Sequence, residues 1–164
     1  MPSHREPHRR HVSLYTVGDL RPSDRDAVYR FLSEEAYWSQ GLPRAIFDAA
    51  IASSLNFAAL AGEGMTPDAP RDRGATAQQQ LAGFARVVTD RATFAWLCDV
   101  FVLPAHRGNG VSKLLMDAVM AHPDLGRVRN FMLATRDAHS LYAKYGFAPL
   151  AEPDRWMAIR RPYR

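Results

Sequence analysis

The run Arg107-Gly108-Asn109-Gly110-Val111-Ser112-Lys113 joins a long apolar segment to a helical pattern through two closely spaced glycines. Upstream, Phe94 to Leu103 reads as a buried strand ended by Pro104; downstream, Val111, Leu114, Leu115, Ala118 and Val119 recur at helical spacing. The turn therefore opens a helix, where the first backbone N–H groups lack intrahelical partners and the dipole favours negative charge. Such a turn binds phosphate through the backbone alone. Two common phosphate loops do not fit. A Walker-type loop needs Lys followed by Ser or Thr after its second glycine, and Gly110 is followed by Val111-Ser112. A dinucleotide fingerprint needs a third glycine where this chain has Lys113.

The elements that must position this turn can be read along the chain. Val12 to Val17 gives a strand, and Pro22-Ser23-Asp24 offers capping residues ahead of Ala27, Val28, Phe31 and Leu32 at helical spacing. Gly41-Leu42-Pro43 breaks the chain before a second helix marked by Ile46, Ala49, Ala50 and Ile51, and Leu55 to Ala61 suits a short strand. Residues 62–80 are rich in Gly, Pro, Asp and Gln without a period, which predicts a flexible surface loop. Leu81 to Val88 and Thr93 to Leu103 form a hairpin around Thr89-Asp90-Arg91-Ala92. After the glycine turn and its helix come a strand over Val128 to Thr135, a short helix over Ala138 to Tyr145 closed by Gly146, and a returning strand through Trp156 to Ile159. This order predicts a mixed α/β fold with a central, mostly antiparallel sheet flanked by helices on both faces.

At 164 residues the chain suits a single domain, here placed at 12–162 behind a disordered basic leader at 1–11. The 21 Lys and Arg outnumber the 17 acids, but the first eleven residues carry three Arg against one Glu and the last ten carry four Arg and no acid. The body between them is mildly acidic, so the excess reads as solvated ends, and neither nucleic acid nor a membrane is expected as a partner. With Cys98 as the only cysteine there is no intrachain disulfide, and no apolar run approaches the roughly 18 residues of a membrane span. A cytoplasmic location is the expectation. No Cys/His pair has zinc spacing, so no metal is expected either.

Arg107-Gly108-Asn109-Gly110-Val111-Ser112 resembles the pyrophosphate loop of the GNAT N-acetyltransferases, Q/R-x-x-G-x-G/A, with Ser112 standing where the family has Gly or Ala. Leu141-Tyr142-Ala143-Lys144-Tyr145-Gly146-Phe147 resembles the family's L-Y-x-x-x-G-F signature. The two motif segments span Val100 to Leu115 and Ala138 to Phe147; the first half of the chain matches by element order alone. The resemblance implies the GNAT fold and acetyl-CoA as cosubstrate, its pyrophosphate on the backbone of about Gly108 to Lys113. It also implies that Val100, Phe101 and Val102 pair with the pantetheine arm as an added strand. Tyr142 falls at the position of a tyrosine that protonates the departing thiolate. A phenol with a pKa of about 10 can do this for a thiolate whose conjugate acid lies near 8.5.

The acceptor's own proton must also be removed, and Asp99, a carboxylate inside an apolar run, is the candidate base, with Glu34 and Glu35 as weaker alternatives. Its bland reading is a structural carboxylate that satisfies a neighbour. In the family, substrate selection comes from the region between the first two helices and from the hairpin, which implies Tyr37, Trp38, Phe84 and Arg86 here. Arg86 could meet a substrate carboxylate, or pair with Asp99 or another acid. Cys98, within a buried strand and without a sequence-adjacent His or Asn, reads as a packed thiol. The expected activity is direct acetyl transfer to a primary amine of a small molecule or peptide. The rival reading is a CoA-binding sensor without catalysis. Oligomeric state stays open, a homodimer included.

Overall fold

The computed structural model describes residues 14–62 and 79–163, so the expected leader at 1–11 and residues 63–78 of the expected loop lie outside the described residues. Five strands form one sheet in the order β1 (Tyr15–Gly18), β2 (Leu55–Ala61), β3 (Gln80–Thr89), β4 (Phe94–Val102) and β5 (Asn130–Leu133). The first four pair antiparallel and β5 joins β4 in parallel. A parallel neighbour requires a crossover. Helix α3 (Val111–Ala121) supplies it.

Both faces of the sheet are covered, as expected. Alternation along β2 sends Phe57, Ala59 and Ala61 to a core shared with Val111, Leu115, Met116 and Val119 of α3. The intervening Ala58 and Leu60 pack beneath α1 (Arg25–Arg30) and α2 (Arg44–Ala52), against Val28, Phe47 and Ile51. Helix α1 continues through a π-helical turn at Phe31–Glu35. A wider turn of this kind often marks a functional region.

The β3–β4 turn is closed by Asp90. Its carboxylate accepts hydrogen bonds from the backbone N–H groups of Ala92, Thr93 and Phe94 and from the Thr93 hydroxyl. Four donors stabilise the ionised form, and they hold the acid well below the ordinary carboxylate range.

β4 is interrupted by a bulge. Phe84 faces Phe101 and Arg86 faces Cys98, so the single residue Ala85 lies opposite both Asp99 and Val100. Asp99 takes the left-handed conformation, φ 53°, which aspartate tolerates better than most residues. The extra residue reverses the alternation. Ala95 and Leu97 point to the α3 core, whereas Phe101, also odd-numbered, points to the α1 and α2 core and stacks on Phe31 at 3.9 Å between ring centroids.

The returning strand expected over Trp156 to Ile159 is not formed. Residues 156–163 hold no regular element, and Met157 is 97% exposed. Trp156, Met157, Ala158 and Ile159 are apolar at consecutive positions, so no alternation fixes which side faces inward or sets a register against β5. No helix among the described residues is long and apolar enough to cross a membrane.

Candidate active site

The glycine turn sits where the sequence places it, between a 3-10 turn at Pro104–His106 and α3. Gly108 and Gly110 both have left-handed backbones, φ 77° and 76°, and a Cβ at either would meet nothing within 4 Å. Glycine is required here for its conformation and not for lack of room. Asn109 donates from its amide to the carbonyls of His106 and Arg107, and Arg107 donates from Nε to the Val102 carbonyl. These bonds engage carbonyls and leave N–H groups as the character of the turn. No side chain caps the start of α3, and its first turn holds no acid. Val111 is buried on the sheet, Ser112 is half-buried, and Lys113 is exposed and pairs with Asp117 at 2.7 Å.

Gly83 on β3 lies directly beneath this helix. A Cβ there would stand 2.8 Å from the Phe101 carbonyl oxygen and 3.2 Å from Cγ1 of Val111. Gly83→Ala is expected to cost about 1–3 kcal/mol by overpacking, read as a lower urea midpoint. An unchanged midpoint would mean that strand and helix part without penalty.

β4 and β5 are paired only from Phe94 to Leu97 against Asn130 to Leu133. Beyond Leu97 the outer edge of Cys98 to Val102 is unpaired by any described strand, which leaves a gap beside β5. At its apex lies a cavity of about 340 Å³ with Trp38, Cys98, Asp99, Val100, Asp137 and Tyr142 in its wall. Helix α4 (His139–Ala143) carries Tyr142 across from the bulge. Tyr142 is 8% exposed, and its hydroxyl has no hydrogen-bond partner among the described residues. Burial first, then the negative charge of Asp137 and the neighbouring Tyr37, raises its pKa. It stays protonated throughout the neutral range.

Asp99 is held from two sides. Trp38 Nε1 donates to Oδ1 at 3.1 Å, and Arg86 Nε donates to Oδ2 at 2.7 Å, with the Arg86 guanidinium also donating to the Ser54 hydroxyl at 3.0 Å. Of the alternatives open for Arg86, the structure takes the ion pair with Asp99. Cys98 lies beside them, and burial, then the Asp99 charge, pushes its thiol up to about 12. It is a packed thiol and not a thiolate nucleophile.

Tyr37 and Trp38 are displayed by a turn tied back onto the end of α1. The Ser39 hydroxyl donates to the Leu32 carbonyl at 2.6 Å, and the Gly41 N–H donates to that of Ser33 at 2.9 Å. The two rings meet edge to face, both about half exposed. Phe84 corrects the expectation placed on it. It is 0% exposed, packed near Phe101 in the α1 and α2 core, and lines neither the cleft nor its walls. Tyr145 is a packing and bonding residue, its hydroxyl donating to Asp117 at 2.8 Å.

The β4 bulge carries no glycine or proline, so sequence gives it no mark beyond a charged residue in an apolar strand. Ser54, Asp137 and Thr135 likewise join the site only through tertiary placement. Their residue types are ordinary for loops and gave no local signal.

Distant solved structures share this architecture. A GNAT-family protein of Streptococcus pneumoniae TIGR4 matches at TM-score 0.61 and 18% identity, over 92% of this chain and 98% of that one, which is a likeness of fold. Nearer relatives carry the family. A Gibberella zeae protein named as an acetyltransferase by assignment is 32% identical over 126 residues, 73% of this chain and 70% of its own. A crystallised protein of Xanthomonas campestris pv. campestris, assigned to the GNAT family as an acetyltransferase, is 44% identical at TM-score 0.74, over 90% of this chain and 94% of that one. The family model for the acetyltransferase (GNAT) domain matches residues 71–149. This chain belongs to the GNAT acetyltransferase family.

Proposed function

We propose that the protein moves an acetyl group from acetyl-CoA directly to a primary amine, with Tyr142 as general acid. The observation that carries this reading is the placement of Tyr142: a buried phenol whose hydroxyl has no partner among the described residues, facing the unpaired end of β4 across a cavity of about 340 Å³. In this reading the backbone of about Gly108 to Lys113 holds the pyrophosphate, and the open edge at Val100 to Val102 receives the pantetheine arm by strand addition. Ser112 supplies an N–H as glycine would, and its hydroxyl adds a second donor.

The amine nitrogen attacks the thioester carbonyl carbon, and the C–S bond breaks as the tetrahedral species collapses. Tyr142 gives its proton to the sulfur, and the proton released by the amine restores the phenol through water in the cleft. Asp99 has one oxygen on Arg86 and the other on Trp38, so both of its oxygens already accept hydrogen bonds within the protein. Its part here is to hold Trp38 and the bulge, which makes it a positioning residue rather than the base expected from sequence.

Incubation with acetyl-CoA and a panel of amines, scored for free thiol, tests the proposal. Amine-dependent thiol release is the expected result. Tight CoA binding with no release across the panel would instead establish the sensor reading.

A further inference from the structure

We infer that the acceptor carries an anionic group, a carboxylate or phosphate, on the same molecule as its amine; this rests on the amine-transfer reading above. Next to the thioester cavity lies a larger one of about 1000 Å³. The two share Tyr37, Trp38, Ala134 and Thr135 as a common wall, so an acceptor that enters the larger space reaches Tyr142 through the smaller.

Charge is divided sharply between the two spaces. The charged residues in the wall of the larger cavity are Arg136, Arg160 and Arg161, with no acid among its lining. The charged residues in the wall of the smaller are Asp99 and Asp137, with no Lys or Arg. Arg160 and Arg161 make no ion pair among the described residues, and Arg136 meets an acid only at 3.8 Å, through its exposed neighbour Asp137. Arg136 lies over the Tyr37 ring, 3.9 Å from the centroid, which fixes its guanidinium at the mouth of the cleft.

Three arginines lining one cavity without an acid favour an anion there, and the fork geometry of guanidinium matches carboxylate and phosphate oxygens. The turn at Arg107 to Lys113 lines neither cavity, so these arginines are separate from the backbone groups assigned to the pyrophosphate. The Asp99 charge is offset by Arg86, so an acceptor with its ammonium towards Asp137 and its anion towards the arginines is oriented along the cleft. Polyamines and basic peptides, cationic along their whole length, meet repulsion at the arginine wall.

Two matched pairs of amines test this: β-alanine against β-alaninamide for a carboxylate, and O-phosphoethanolamine against ethanolamine for a phosphate. Each is assayed for thiol release with acetyl-CoA, and each is titrated by isothermal calorimetry against CoA-loaded protein, for the wild type and for Arg160→Gln/Arg161→Gln. The anion-bearing member of at least one pair is expected to lead in kcat/KM or in affinity by about tenfold or more, as loss of charge-assisted hydrogen bonds implies. In the double variant and at high salt that ratio should fall towards one, mainly through KM; the pair that responds identifies the anion. Amines without the anionic group used and bound as well as their anion-bearing partners would overturn the inference while amine transfer stands. Anion-bearing members bound selectively, with no thiol release from any amine, would sustain the anion site and remove amine transfer. Absence of any charge preference in both assays, or a preference that survives in the double variant, overturns the inference as well.

Discussion

Tyr142→Phe is expected to lower kcat by about a hundredfold while the KM for acetyl-CoA moves by no more than about twofold, because the proposed general acid is lost and binding contacts are kept. Phenylalanine keeps the ring that packs against Phe147 and fills the same space beside α4. Only the hydroxyl, which has no partner among the described residues, is removed. The pH profile gives a second check. Since burial and Asp137 raise the Tyr142 pKa, the wild-type alkaline limb from this group should lie above the ordinary phenol value of about 10. An unchanged kcat in the phenylalanine variant would take Tyr142 out of the mechanism, and the thiolate would then leave with a proton from water.

Removing the partner of Asp99 should give the largest loss of stability. The side chains of Arg86 and Asp99 are 16% and 12% exposed, so Arg86→Met leaves a carboxylate largely cut off from water and without its cation. Breaking one side of such a pair costs about 3–5 kcal/mol. The loss should appear in urea unfolding at neutral pH, and Arg86→Met/Asp99→Asn should recover a good part of it because the stranded charge is gone. A loss below about 1 kcal/mol would show the pair behaving like an exposed one. The same variants test the positioning role. Trp38 donates to the other Asp99 oxygen, so loosening the carboxylate should raise the KM of the amine more than that of acetyl-CoA.

The parts of this molecule that were legible in its sequence are those written in local chemistry. Leu55 to Ala61 is a strand with the bounds read from its apolar run, and Val111, Leu115 and Val119 recur one turn apart and bury one face of α3. The glycine turn was legible because left-handed backbone leaves a compositional trace at Gly108 and Gly110. The β4 bulge left none: an aspartate adopts the left-handed conformation there, and without the bulge Phe84 and Phe101 could not be assigned to their face. The end of the chain failed for a related reason. Trp156 to Ile159 has strand-forming residue types but no one-sided pattern, and residue type alone supplies neither a partner nor a register.

The reversal of facing at Asp99 has a mechanical consequence. Upstream of it β4 belongs to the α3 layer, and downstream, through Phe101, it belongs to the layer of α1. Phe101 stacks on Phe31, the first residue of the π turn that runs into the Tyr37-Trp38 wall. One ring pair thus bolts the strand proposed to receive pantetheine to the segment proposed to face the amine. Together with the Trp38–Asp99 hydrogen bond it gives the two segments two points of attachment, one apolar and one polar.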